Sequence, residues 1–554
     1  MICILHGYLL EGSGSNLWTR SVIESLCMEG RTVQLVCQEP YPEQYDCIAE
    51  AFRYNLDGSV ETMFTRDVPY PGRCIMHKPQ LGDTLPVYVW DKYDEYPNVV
   101  PMINLPDEAI EQYVTRNAAV VQHVVEQFGV TAMHANHAVL MSVVAQRVSA
   151  ATGVPYAVMP HGSALEYAVK PDVRFKRLAT SAFTDAGHIF VQGEEMRHRV
   201  ETILPDVPDL NGKFSVLPLG VHTSQFTPVP RERRREKMGR LFVELESLPR
   251  GRRPQQLERM LADVQQANDT QTLRAVLSGV KYETKAPDED VAEKLQQVDW
   301  EHDAVMLFVG RLISAKGIQS GLAALPLLLA RDPGIRFIVV GHGPLREPME
   351  AFLWALEHGD RELAERIVEC GRLLEGDPDG SGGSQALGKV KWFFKDLEER
   401  GELDDYFALA KKHVRADRVI FTGYLTHHEL RHLFPCCDAG IFPSIVKEAG
   451  PLVFLEALAS GCFPLGTYFG GMKASIDAIA GLFPPEIADT MKIDPLNTVA
   501  DIVTNVDRAL RFGVRYKDVL SRTAQERYDW SSVGRKLAHQ LDTLAEARVS
   551  AGRA

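Results

Sequence analysis

No stretch of the sequence approaches the roughly 18 consecutive apolar residues that a membrane-crossing helix needs. The opening, MICILHGY, has no basic segment ahead of its apolar run, so it does not read as a secretory signal. The expectation is a protein that neither spans a membrane nor leaves the cytoplasm. The nine cysteines are an odd, scattered set, with Cys436 and Cys437 adjacent and no C-x-x-C pair. This excludes a disulfide framework and a zinc-spaced ligand set, and predicts reduced thiols. Three other patterns are also missing: the G-x-x-x-x-G-K-[ST] phosphate loop, the G-x-S-x-G nucleophile turn, and a strict G-x-G-x-x-G followed by a ribose-binding acid. Nor is there a basic excess. Lys and Arg number 60 against 74 Asp and Glu, a net charge of −14. That balance disfavours nucleic acid or an anionic membrane as the main partner.

What is present is a chain of 554 residues, 45% hydrophobic and 24% charged, the composition of a soluble globular protein long enough for two or three domains. Short apolar runs alternate with helical patterns, as in a parallel α/β sheet. The clearest example is 438–473, DAGIFPSIVKEAGPLVFLEALASGCFPLGTYFGGMK. Residues 438–442 read as a buried strand that ends at Pro443. Gly450-Pro451 starts a helix over 451–460, because proline suits the first helical position, and Gly461 stops it. Glu448 and Glu456 stand eight apart, which on one continuous helix would put them roughly 80° off a shared face. With the helix starting near Pro451, Glu448 falls in the loop and Glu456 in the second turn, so both can face one ligand. The backbone N–H groups of Gly450, Leu452 and Val453 form a helix start suited to an anion. The plainer reading of the two glutamates is a solvated helix face.

Other candidates stand at strand ends. Residues 1–5 read as a strand, followed by GYLLEGSGSN and a helix to about residue 29 that Ser15 or Asn16 can cap. Gly12 and Gly14 permit positive φ and close backbone approach, so a diphosphate or sugar fits there, unless the turn is merely structural. Residues 32–37 read as a strand, and 39–104, rich in Pro, Tyr and Gly, carry few periodic signals. Helical pattern returns over 107–128, with strands at 130–134 and 156–159. His161 follows the latter before a glycine, where open sheets place ligands; a structural histidine is the alternative. The stretch 231–302 is polar, begins RERRREKMGR and shows no strand pattern. It reads as a solvated helical insertion or, less simply, as a basic surface for an anionic acceptor or lipid headgroup. A second domain opens at 303 with AVMLFVGRLISAKG, whose Arg311 and Lys316 are five apart across a strand-to-helix turn and can converge on one group. The strand 335–340 runs into the glycine-rich GHGP turn at Gly341. Residues 350–416 form a further insertion, with Trp392, Phe393 and Phe394 as its core. A strand at 418–422 leads to Gly423-Tyr424-Leu425, and the chain beyond 477 reads as helical.

In their order GRLxxxKG, GxGP, FTGYL and E-x7-E, these patterns resemble the GT-B retaining glycosyltransferases, and most closely glycosyltransferase family 4 (glycosyl transferases group 1). The likeness covers about 1–230, 303–349 and 416–545. It implies an α/β chain with two Rossmann-like, doubly wound domains facing a cleft: an acceptor domain over 1–230, a helical insertion over 231–302, a donor domain over 303–527, and a last helix over 528–554 that crosses back. It further implies that Arg311 and Lys316 hold the donor diphosphate, that Gly423-Tyr424-Leu425 is the nucleobase loop, that Glu456 holds the ribose and Glu448 the donor sugar, and that His161 lies beside the transferring sugar. The expected reaction moves a sugar from a nucleoside-diphosphate sugar to a small-molecule or glycan acceptor with retention. It needs no cofactor and no metal, since Arg311, Lys316 and the helix start near Gly450 can stabilise the departing diphosphate. Two departures stand out: His222 replaces the usual Asp of the exit turn, and Ala449-Gly450-Pro451 replaces Pro-Phe-Gly after the first glutamate. A nucleotide-sugar epimerase, a sugar phosphorylase of the same fold and a non-catalytic sugar-nucleotide-binding protein are the alternatives. Nothing in the sequence indicates the acceptor, the donor sugar or the oligomeric state.

Overall fold

A computed structural model describes residues 1–11, 13–88, 96–279, 285–375, 387–446, 450 and 452–551. The chain forms two compact units, one made of Met1–Gly220 with Arg527–Ala554 and the other of Val221–Glu526.

The strands of the first unit are β1 (Ile2–Leu5), β2 (Thr32–Val36), β3 (Ile48–Tyr54), β4 (Val60–Thr65), β5 (Arg73–Pro79), β6 (Thr84–Val87), β7 (Asn98–Pro101), β8 (Ala132–Asn136), β9 (Tyr156–Met159), β10 (His188–Val191) and β11 (Phe214–Val216). Nine of them make one sheet in the order β11-β10-β9-β8-β1-β2-β5-β3-β4, and β6 pairs with β7 separately. Every pair in the large sheet is parallel except β3 with β4. Because helices cover both faces of such a sheet, its inner strands are largely buried on both sides rather than alternating between core and solvent. All four residues of β1 are buried. Strand order reverses between β1 and β8, and the loops leaving these two strands frame that reversal.

Two expectations need correction here. The first helix, Gly14–Met28, is capped by Ser13, whose side chain accepts from the N–H of Asn16, and not by Ser15 or Asn16. The stretch 39–104 holds five strands, β3 to β7. Its signal was weak because β4 lies largely exposed and lacks a buried face. The end of the chain returns as one helix, Trp530–Ala551, which belongs to the first unit.

The second unit has β12 (Ala304–Val309), β13 (Ile335–Val340), β14 (Val419–Gly423), β15 (Ala439–Phe442), β16 (Phe463–Thr467) and β17 (Lys492–Ile493). They form an all-parallel sheet in the order β14-β13-β12-β15-β16-β17, which reverses between β12 and β15. Strand β17 interrupts what reads as continuous helix beyond 477. Gly470-Gly471 opens the helix Gly470–Ala480.

The helices of 231–302 are part of this unit. Arg234, on the helix Arg234–Glu246, binds Asp438 at 2.7 Å with both side chains buried. Asp438 also accepts from the N–H of Val305 at 2.9 Å, so the same carboxylate joins the insertion to the central strand β12. A second buried network ties Arg252 to Glu350, Glu350 to Arg346 at 3.2 Å, and Arg346 to Asp288 at 2.7 Å. In the other insertion Phe393, Phe394, Tyr406 and Phe407 pack edge to face and the Tyr406 hydroxyl donates to the Ala323 carbonyl. Trp392 is 48% exposed and is not part of that core.

Candidate functional site

In open α/β sheets, ligands bind at the carboxyl ends of the strands where strand order reverses, because adjacent loops diverge there and leave a crevice. In the second unit that place lies between β12 and β15, and the loops around it are cross-tied by backbone hydrogen bonds. After β12, the Gly310 N–H donates to Val340 and the Leu312 N–H to His342, which locks this turn against the one after β13. The Gly341 N–H donates to the Gly423 carbonyl, joining the turn after β14. The Ile445 N–H donates to Ala315, joining the loop after β15. Gly341 sits at φ 146°, and a Cβ there would stand 1.9 Å from the Gly310 carbonyl oxygen, so only glycine lets the first two turns approach. Gly423 sits at φ 75°, and a Cβ there would stand 2.7 Å from the Ala286 carbonyl oxygen and the Asp288 nitrogen.

These ties bring together Arg311, Lys316, Gly341, Gly423, Tyr424 and Leu425. Arg311 is exposed and forms no ion pair with any described residue, whereas Lys316 is half-buried in the same turn. Gly450 and the helix Leu452–Ser460 follow β15, with Leu452 and Val453 in its first turn. First-turn N–H groups have no acceptor within a helix, so this end presents donors and positive partial charge. Glu456 is 5% exposed. One of its carboxylate oxygens accepts from His427 Nδ1, and the other, Oε2, is buried without a hydrogen-bond partner. Glu448, Pro451 and Gly12 lie outside the described residues.

Several residues at this edge carried no recognisable signal. His427 stands in the first turn of the helix His427–Leu433, placed by a capping box in which Glu429 accepts from the Thr426 N–H at 2.7 Å. The His342 ring lies 5.3 Å from that of Tyr424, tilted by 31°. Burial lowers the His342 pKa, and the cations Lys285 and Arg311 lower it further. Ala286 accepts from the Tyr424 N–H at 3.1 Å, and Asp288 donates to the Thr422 carbonyl at 2.8 Å. The nucleobase loop inferred from the resemblance is therefore bridged by residues of the insertion. Only the polar composition of 231–302 was visible in the sequence, and composition does not reveal a backbone bridge.

His161 and Gly14 belong to the other unit. His161 ends β9 at φ 47°, is 6% exposed, and shares a hydrogen bond of 3.0 Å with Asn136 Oδ1. Asn136 in turn donates to Thr19 at 2.8 Å. His6, His134 and His137 gather around them at the reversal between β1 and β8, with the His137 ring 4.8 Å from that of His161 and tilted by 48°. Burial pulls His161 down to about 3, with His6 and His134 adding repulsion, so its ring is neutral at pH 7. His6 and His134 fall to about 4 by the same desolvation. Gly14 is the first residue of the helix Gly14–Met28, without the positive φ its type permits, and a Cβ there would meet nothing within 4 Å.

Two doubly wound parallel units with ligand-type loops at each reversal define the GT-B class of fold. The chain is similar to HepE from Anabaena, solved in complex with UDP, at 14% identity and a TM-score of 0.50, over 98% of this chain and 99% of that one. It is likewise similar to a glycosyltransferase from Rickettsia africae, at 13% identity and a TM-score of 0.51, over 98% of each chain. Residues 390–485 match the family model of glycosyl transferases group 1, a span that includes β14, β15, β16 and Glu456. The chain therefore has the GT-B fold, and one segment of its second unit resembles the glycosyl transferases of group 1. Comparison with curated proteins gives no match. Among the described residues no helix is long and apolar enough to cross a membrane.

Proposed function

We propose that the protein transfers a sugar from a nucleoside-diphosphate sugar to an acceptor hydroxyl, with retention at the anomeric carbon and without a metal ion. The observation that carries this reading is the reversal between β12 and β15. On one side stands Arg311, exposed and without an ion pair among the described residues, with Lys316 one turn on; on the other stands the start of the helix Leu452–Ser460. When the bond from the anomeric carbon to the diphosphate oxygen breaks, negative charge develops on the leaving group. Two cations and a helix N-terminus fixed in advance stabilise that charge without reorganising.

Glu456 accepts from the ribose hydroxyls through Oε2, the oxygen that has no partner in the fold. Tyr424 and His342 offer a ring pair beside the nucleobase. His161, neutral through burial, is suited to hydrogen-bond a sugar hydroxyl without introducing charge. Glu448, by the family resemblance, holds the donor sugar. Uridine is the first base to test, because the similar HepE structure is a complex with UDP.

The test is thermal unfolding with UDP, GDP, ADP and dTDP, each with EDTA and with magnesium. Ligand at 100 times its dissociation constant adds about 2.7 kcal/mol, a shift of about one or two degrees in a chain of this length. UDP is expected to give that shift equally in EDTA. A shift seen only with magnesium would overturn the metal-free reading, and no shift with any nucleotide or intact nucleotide-sugar would overturn the donor site.

A further inference from the structure

A second polar pocket, of about 570 Å³, opens between the insertion helix Arg234–Glu246 and the helix His427–Leu433. Lys237, Arg240 and Arg431 line it together with Ser224, Gln225 and Glu244. None of the residues assigned above to the donor lines it.

The charges are unevenly satisfied. Glu244 Oε1 accepts from Arg431 at 2.8 Å and shares a contact of 3.0 Å with His432, while its buried Oε2 has no hydrogen-bond partner. Arg240 pairs with Glu236 on the outer face of its helix, a fully solvated contact of little worth. Lys237 forms no ion pair with any described residue, although it is half-buried. Burial lowers its pKa, and the neighbouring Arg240 and Arg431 add repulsion. Like cations held together at a concave surface cost energy in the empty pocket, and a bound anion converts that repulsion into attraction.

Glu244, His428 and Glu429 place ligand-type atoms within 4.8 Å of one another, which raises the opposite possibility of a cation. Arg431 opposes it. Its guanidinium donates to Glu244 and to His428 Nε2 at 2.9 Å, so a fixed positive charge already occupies the ground a metal would need.

We propose that this pocket binds a small phosphorylated sugar. Lys237, Arg240 and Arg431 would take the phosphate, Arg groups offering paired donors and Lys a point charge. Ser224 and Gln225 would meet the hydroxyls. The volume exceeds what a bare phosphate fills, which is why a sugar phosphate rather than the inorganic ion is the class named.

The test is isothermal titration of the full chain with glucose monophosphate, inorganic phosphate, glucose and zinc chloride. Glucose monophosphate is expected to bind more tightly than inorganic phosphate, glucose not to bind, and affinity to fall as salt is raised. The double variant Lys237→Ala/Arg240→Ala should weaken binding by about tenfold or more for each charge removed, with an unchanged melting temperature showing that the variant folds. Arg311→Ala, which touches the donor edge alone, should bind glucose monophosphate as the wild type does. The proposal falls if glucose monophosphate does not bind, if it binds equally to the folded double variant, or if Arg311→Ala abolishes binding. Equal affinity for inorganic phosphate would overturn the sugar part, and zinc binding that survives in the double variant would assign the pocket to a cation.

Discussion

His427 and Glu456 illustrate how a single contact can set a site. A carboxylate buried to 5% exposure needs its partners, and His427 supplies one while leaving Oε2 for a ligand. His427→Ala is expected to weaken UDP binding about tenfold, the worth of one hydrogen bond to a charged group, with His427→Gln recovering part of it. Calorimetric titration of both variants checks this. The histidine cluster makes a separate prediction about pH. In the unfolded chain these rings titrate near 6.5, while His6 and His134 fall to about 4 and His161 to about 3 when folded. As pH falls below 6.5 the unfolded chain takes up protons that the folded rings refuse, so stability is fully present above that pH and is lost toward pH 3. The first ring to be forced into charge costs about 3 kcal/mol. Urea unfolding at stepped pH should show the loss, and replacing His161 with Asn should flatten it. His161 could be singled out because a histidine before glycine at a strand end has a recognisable position. His427 could not, because nothing in THHEL shows that its ring meets a glutamate 29 residues later.

The elements of 231–302 are held by buried ion pairs as well as by an apolar face, on which Met238, Leu241, Leu245 and Leu295 are inaccessible. Arg252, Arg346, Asp288, Glu347 and Glu350 are all nearly inaccessible. Removing one partner of such a network leaves an uncompensated charge, so Arg252→Leu should destabilise the second unit by about 3–5 kcal/mol. Arg253→Leu is the control. Its pair with Glu289 spans 3.9 Å at 72% and 47% side-chain exposure, and its loss should stay under about 1 kcal/mol. Denaturant midpoints of the two variants compare them directly. The same network explains why a polar stretch with no strand pattern reads as a solvated insertion. Arg252 looks like surface charge until its carboxylate partners are found on Glu347 and Glu350, about 100 residues further on.

At the scale of the whole molecule, the last helix completes the unit in which the chain begins. The Trp530 carbonyl accepts from Ser25 at 2.9 Å, Asp542 pairs with Arg31 at 2.8 Å, and the Trp530 ring packs so closely on Gly220 that a Cβ there would stand 2.3 Å away. Deleting residues 528–554 should therefore lower the melting temperature of the first unit, while UDP binding at the donor site proposed in the second unit should persist. Differential scanning calorimetry of the truncated chain with and without UDP separates the two effects. What the sequence determined by itself were features carried by neighbours along the chain: the apolar strands of both sheets, the glycine turns at Gly341 and Gly423, the helix after β15, and the order of patterns that indicated a GT-B glycosyltransferase. Periodicity and turn chemistry are local, so they survive in one dimension. Tertiary structure alone decided the strands β3 to β7, the partner of Glu456, the bridging of Tyr424 by Ala286, and the packing of 231–302 into the second unit. Each of these depends on a contact between distant residues, and the energy of such a contact is set by burial and geometry that no local pattern records.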